Sequence, residues 1–203
     1  MSHCEMPIGQ PFELPCGLKL SNRIIKTAME ESLGSGDNQP NEFDERHRGL
    51  MTDLMISSKD KIDIEKWKRY ADVCQSYGTP TIVQINHAGR QSPFGKRPYR
   101  QPTIAPSRIA MSIGNNIFAR TLQYFVIGTP EKMTLAQIDE AVEKFANAAE
   151  IMAKVNFADV EIHASHGYLI SSFLSPKTNK RIDEYEATPK DRMKFFISNY
   201  RCY

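Results

Sequence analysis

Residues Asp159–Asp183 read DVEIHASHGYLISSFLSPKTNKRID. The opening residues, together with Ala158, form a short β-branched run with a period of two, the pattern of a strand ending at Ile162. Directly after it come two imidazoles and a phenol, His163, His166 and Tyr168, with Gly167 between them. A brief apolar run, Leu169 to Leu174, then leads into a Pro/Lys/Thr/Asn loop. In α/β barrels the reacting groups sit at the C-terminal ends of strands and in the loops that follow. A strand that ends in this way places its side chains where chemistry would be.

Upstream, Thr134 to Val155 reads as a helix. Thr134 and Gln137 have the spacing of a capping box, and Ile138, Val142, Phe145, Ala149 and Met152 make one apolar stripe. Thr81 to Asn86 reads as another strand, with Gln84 as a polar residue within it and His87-Ala88-Gly89-Arg90 at its end. Ile64 to Tyr77 is predicted to be an amphipathic helix with Ile64, Trp67, Ala71 and Cys74 on one face and Gly78 after its end. Trp67 is read as a packing residue. Strand, helix and strand repeated in this order mean parallel βαβ units.

Nearer the N-terminus, Pro11 to Leu20 predicts two extended pieces around a turn at Pro15-Cys16-Gly17, and Asn22 to Met29 predicts a strand. Ser32 to Glu42 is loop by composition. Residues 92–132 are long and irregular, a length that usually goes with function. Thr188-Pro189 starts a last helix, with a cap residue followed by proline at the first helical position.

Composition limits the alternatives. The chain has 203 residues, 40% hydrophobic, and a formal net charge of +2 with both signs mixed throughout. That balance argues against nucleic acid as a main partner. No apolar run approaches the ~18 residues of a membrane span, and the first ten residues lack the basic and apolar regions of a secretory signal. The four cysteines show no regular spacing, so a reduced, cytoplasmic protein is expected.

Three stretches in order, NRIIKTAMEE (22–31), QINHAGRQ (84–91) and EIHASHGYLISSFLSPKTNKR (161–181), closely resemble the Old Yellow Enzyme family of FMN-dependent NAD(P)H:flavin oxidoreductases, or ene-reductases. The resemblance implies an α/β fold of (β/α)8 TIM-barrel type. A complete barrel needs ~250 residues, so the expectation is an incomplete one, the N-terminal half to two-thirds, read as a single domain over 1–203. Within it, a deletion is expected near 43–63, where the family carries a longer helix and strand, and a capping segment at 92–132.

The resemblance also assigns roles. Thr27, Ala28 and Met29 would lie against the isoalloxazine ring of FMN, and Gln84 would hydrogen-bond its pyrimidine edge, for which an amide suits because it both donates and accepts. His163 would serve flavin and substrate alike. His163 and His166 would donate to the carbonyl oxygen of an activated, enone-like alkene as negative charge develops there. Tyr168 would give the proton that completes reduction. NAD(P)H would be the reductant. His87 and Arg90 fit structural roles at their loop start. The family has a Gly-Gly-Ser turn where this chain has Glu186-Ala187-Thr188.

Other readings stand beside this one. Two histidines three apart also suit a metal, though no Cys or carboxylate of the usual spacing accompanies them. Tyr168 could be a buried, satisfied tyrosine. Ser165 lacks the GxSxG elbow of a nucleophile, and no GxGxxG follows a strand. An aldolase-like barrel would need a lysine at a strand end, and Lys26 is accounted for by the first strand. A different class of outcome is a catalytically impaired remnant that lacks the phosphate-binding half and acts as an oligomeric or interaction protein. Exposed edges of parallel strands would favour such self-association.

Overall fold

The computed structural model describes residues 7–28, 62–92, 102–112, 114, 116–185 and 188–200. They fall into two compact units: Met1–Gln84 with Ala148–Glu161, and Ile85–Asn147 with Ile162–Tyr203.

The first unit begins with a 3-10 turn, Pro7–Gly9, and a small antiparallel hairpin of β1 (Phe12–Glu13) and β2 (Lys19–Leu20). Gly17 supplies the left-handed residue of its turn at φ 88°, and its N–H donates to Leu14 O at 2.8 Å. The turn expected at Pro15-Cys16-Gly17 is there.

Among the described residues of the strand expected over Asn22 to Met29, no strand forms. Residues 24–28 form no regular structure, and Ile24 and Ile25 are 68% and 63% exposed. The side-chain oxygen of Asn22 accepts from Ile24 N–H at 2.9 Å, a local bond that competes with a sheet ladder. Met29, the loop read at Ser32 to Glu42 and most of the segment at 43–63 lie outside the described residues.

α1 (Ile64–Cys74) starts at Asp63, whose carboxylate accepts from Lys66 N–H, and it buries Trp67 and Ala71. These pack with Ile151, Met152, Val155 and Phe157, the C-terminal part of α3 (Leu135–Lys154) and the residues beyond it. Val83 of β3 (Ile82–Ile85) and Val160 of β6 (Asp159–Ile162) flank this cluster. α3 ends at Asn156, left-handed at φ 71°, after which Phe157 N–H reaches back to Met152 O, as in a Schellman cap. Gln75 holds this corner by donating to Asn156 O at 2.9 Å and accepting from Thr81 N–H at 3.2 Å. β3 and β6 are sheet neighbours. Ala158 N–H donates to Thr81 O, and four to five residues further along both strands His163 N–H donates to Ile85 O, so the pair runs parallel.

The second unit holds the larger core. Met133, Ile138, Ala141 and Phe145 pack with Leu169, Ile170 and Phe173 of α4 (Leu169–Leu174) and Phe195 of α5 (Pro189–Tyr200). The capping box at the start of α3 forms as the spacing requires. Thr134 N–H donates to Gln137 Oε1 at 2.9 Å, and Gln137 N–H to Thr134 Oγ1 at 3.2 Å. α5 starts in the same way, with Asp191 and Thr188 exchanging bonds; Glu186 and Ala187 lie outside the described residues.

The described part of residues 92–132 is more ordered than the sequence suggested. It contains α2 (Ile117–Val126), and a parallel pair of β4 (Ile104–Ala105) with β5 (Glu131–Lys132). Asn116 caps α2 by accepting from Ala119 N–H at 2.7 Å.

Candidate active site

The second unit brings together the three side chains on which the sequence reading centred. His163 follows the last residue of β6. Its N–H donates to Ile85 O at 3.0 Å, and only 9% of the residue is exposed. The chain then turns tightly. His166 is left-handed at φ 56° and Gly167 at φ 75°. For a histidine this conformation costs roughly 1–2 kcal/mol, so it persists only where neighbours hold it. Tyr168 is the cap residue of α4. The result is a ring cluster: His163 and His166 have centroids 5.1 Å apart, and His163 and Tyr168 have centroids 5.2 Å apart. His166 is exposed and Tyr168 half-buried, so one edge of the cluster is open.

α4 fixes this turn from below. Leu169, Ile170 and Phe173 are buried in the core. Gly167 N–H donates to Ser171 Oγ at 3.2 Å, while Ser172 Oγ donates to Gly167 O at 2.9 Å.

A second loop braces it from the side. After β3 the chain passes through His87 into a 3-10 turn, Gly89–Gln91. Leu169 N–H donates to His87 O at 3.0 Å. Gly89 lies so close to Leu169 that a Cβ there would stand 3.1 Å from its Cα. Gln91 Nε2 donates to His166 O at 2.7 Å. His87 itself accepts from Gly89 N–H on Nδ1 at 3.0 Å. Burial, with the positive charge of Lys144, lowers the pKa of His87 to about 4, so the ring is neutral and carries its proton on Nε2. Arg90 Nη1 donates to Ile109 O and Ala110 O. These contacts give His87 and Arg90 the structural work expected of them.

The remaining predicted site residues lie in the first unit. Gln84 Nε2 donates to Glu161 Oε1 on the neighbouring strand at 3.0 Å. Thr27 and Ala28 are exposed coil, and Met29 is outside the described residues. Gln91, within the QINHAGRQ stretch, has no role that the sequence reveals, since its bond to His166 spans 75 positions of sequence. Among the described residues no group of three or more His, Cys, Asp and Glu could hold a metal ion. Nor is any described helix long and apolar enough to cross a membrane.

Comparison with known proteins agrees on one family. The model of the NADH:flavin oxidoreductase / NADH oxidase family matches residues 40–199. The chain is 34% identical over 220 residues to the NADH-dependent flavin oxidoreductase iliE of Hypocrea jecorina, covering 95% of this chain and 55% of that protein. It is 37% identical over 202 residues to an NADH oxidase of Thermoanaerobacter brockii, covering 88% and 29%. The chain therefore spans about half, or less, of the length of these relatives. Among solved structures, a complex of morphinone reductase with tetrahydroNAD aligns with a TM-score of 0.81 at 22% identity, covering 97% of this chain and 60% of the other. The old yellow enzyme from Trypanosoma cruzi aligns at 0.78 and 21%, covering 97% and 61%. The fold is thus part of an α/β barrel of this type, and the described residues do not close one.

Proposed function

This chain belongs to the NADH:flavin oxidoreductase / NADH oxidase family, and we propose that it carries the substrate-facing part of an FMN-dependent ene-reductase site. One observation supports this above the others: His163, His166 and Tyr168 form a single ring cluster with an open edge at the end of β6.

The family's cofactor is FMN, with NAD(P)H as reductant. When bound and reduced, FMN supplies the hydride for the β-carbon of an alkene conjugated to a carbonyl. His163 suits the ring end of such a group as a buried imidazole at a strand end, while the amide nitrogen of Gln84 is engaged with Glu161 and leaves its oxygen as an acceptor. His163 would hold the ring; Gln84, Thr27, Ala28 and Met29 are assigned to it by the resemblance alone.

The chain's own part in the reaction is to bind, orient and protonate. N–H groups of His163 and His166 donate to the carbonyl oxygen of the substrate. These bonds strengthen as negative charge builds there, which is the condition for lowering a barrier rather than merely binding. The Tyr168 hydroxyl then delivers a proton to the α-carbon. The turn at His166-Gly167 sets the spacing of the two donors.

We read the domain as one partial barrel, shortened near 43–63 and capped by residues 92–132. The alignment to iliE runs over 220 positions against 95% of the 203 residues of this chain, so this chain lacks residues that iliE has. The substrate is a small, enone-like molecule, the setting cytoplasmic, and self-association would cover open sheet edges.

The test is an FMN titration followed by desalting, a visible spectrum, and NAD(P)H-driven turnover of a cyclic enone. Retained flavin with turnover that falls in His163→Ala and His166→Ala supports the reading. A colourless protein without turnover overturns it and favours the interaction-protein alternative.

A further inference from the structure

We propose that Gln91 is a positioning residue for the ring cluster, acting through the main chain of His166. The proposal rests on the functional reading above, because the cluster matters for activity only if it meets substrate.

Three contacts carry it. The Gln91 amide donates from Nε2 to His166 O at 2.7 Å, shorter than the 3.0 Å bond from Leu169 N–H to His87 O between the same two loops. A carbonyl only accepts, so the amide must present its nitrogen, and any residue without a donor at this reach breaks the contact. His166 is the one residue of the turn that is left-handed without being glycine. Its backbone orientation therefore needs an outside hold, and the Gln91 bond falls on its own carbonyl. The next residue makes room for that bond: a Cβ at Gly167 would stand 3.0 Å from Gln91 Nε2. Glycine at 167 thus serves the turn and the approach of the amide together. Gln91 in turn is fixed by its own short helix, where its N–H donates to Ala88 O at 3.1 Å. The loop after β3 reaches across and sets the angle at which the His166 ring faces His163.

The measurement is a nuclear Overhauser spectrum of the histidine ring protons in the full chain, with His163 and His166 assigned by substitution. Rings 5.1 Å apart give a cross-peak. Gln91→Met keeps length and removes the donor, and is expected to lose it. Gln91→Lys restores a donor at similar reach and is expected to keep it. Circular dichroism checks that each variant is folded. A cross-peak of unchanged intensity in Gln91→Met, or its loss in both variants, overturns the proposal. None of this requires flavin or substrate, so a failure here is distinguishable from a failure of the ene-reductase reading.

Turnover adds the coupling. Gln91→Met is expected to lower kcat/KM for an enone in the unsubstituted chain and to have no effect in His166→Ala. An equal fold-loss in both backgrounds means a merely structural role and overturns the proposal. Lack of turnover in the unsubstituted chain counts against the ene-reductase reading alone, and the cross-peak still decides this one.

Discussion

Arg181 grips Asp183 two residues along the chain, donating from Nε to both carboxylate oxygens at 2.9 and 3.1 Å and from Nη2 to one of them at 2.7 Å. Its other amine, Nη1, donates to Pro106 O at 3.1 Å and Met133 O at 2.7 Å. Arg181 is only 2% exposed. One guanidinium therefore ties the loop after α4 to the ends of β4 and β5, with all three of its nitrogens donating.

Arg181→Met is predicted to destabilise the second unit by about 3–5 kcal/mol, because it strands a carboxylate and two carbonyls that lose their donor. Urea unfolding measures this. Arg181→Lys should recover little, since an ammonium cannot serve three acceptor groups spread over a fork.

The same pair predicts an acid limb. The hydrogen bonds from Arg181 hold the Asp183 carboxyl below its usual range. A carboxylate depressed in the folded state contributes stability that is present above its unfolded pKa and is lost as pH falls through the folded one. Stability should thus decline below about pH 4, and Asp183→Asn should flatten that decline. Equal slopes in the two proteins would remove Asp183 as its cause.

His87 predicts a second, higher window. Its folded pKa is lowered from 6.5 to about 4 by burial and then by Lys144. Between those values the unfolded chain binds a proton that the folded chain refuses, so stability falls as pH drops through that range. His87→Asn keeps an acceptor near Nδ1 without a titrating group. It should remove the slope between pH 6.5 and 4, read by unfolding at a series of pH values.

Two glycines separate backbone strain from crowding. Both are left-handed, Gly89 at φ 56° and Gly167 at φ 75°. A Cβ at Gly89 meets the backbone and Cβ of Leu169 at 3.1–3.2 Å, whereas at Gly167 it meets only the end of the Gln91 side chain at 3.0 Å. Gly89→Ala should cost about 2 kcal/mol or more, and Gly167→Ala nearer the ~1 kcal/mol of the left-handed penalty. The reverse order in thermal unfolding would mean that the Gln91 contact is stiffer than the core packing around Leu169.

What could be read from sequence is what depends on near neighbours in the chain. The capping box at Thr134 and Gln137 is three residues wide, and the stripe from Ile138 to Met152 lies on one helix. His163, His166 and Tyr168 meet because six residues and one turn bring them together. The strand expected at Ile24 and Ile25 does not form: a β-branched run becomes a strand only beside a partner, and Asn22 makes a nearer bond to Ile24 N–H. Gln91 with His166 and Arg181 with Met133 join positions 75 and 48 residues apart, which no local pattern encodes. α2 was legible after all: Asn116 is a good cap before an apolar run, and the surrounding prolines and glycines hid it.

The oxidative half-reaction tests the central claim most directly. Protein loaded with FMN and reduced beforehand is mixed with a cyclic enone, and flavin reoxidation is followed for the unsubstituted chain and for Tyr168→Phe. If Tyr168 is the proton donor proposed above, its loss slows alkene reduction by roughly 10²–10⁴-fold while leaving reduction of the flavin by NAD(P)H unchanged. Equal reoxidation rates with saturated product in both proteins would contradict the role given to Tyr168 and to the ring cluster around it.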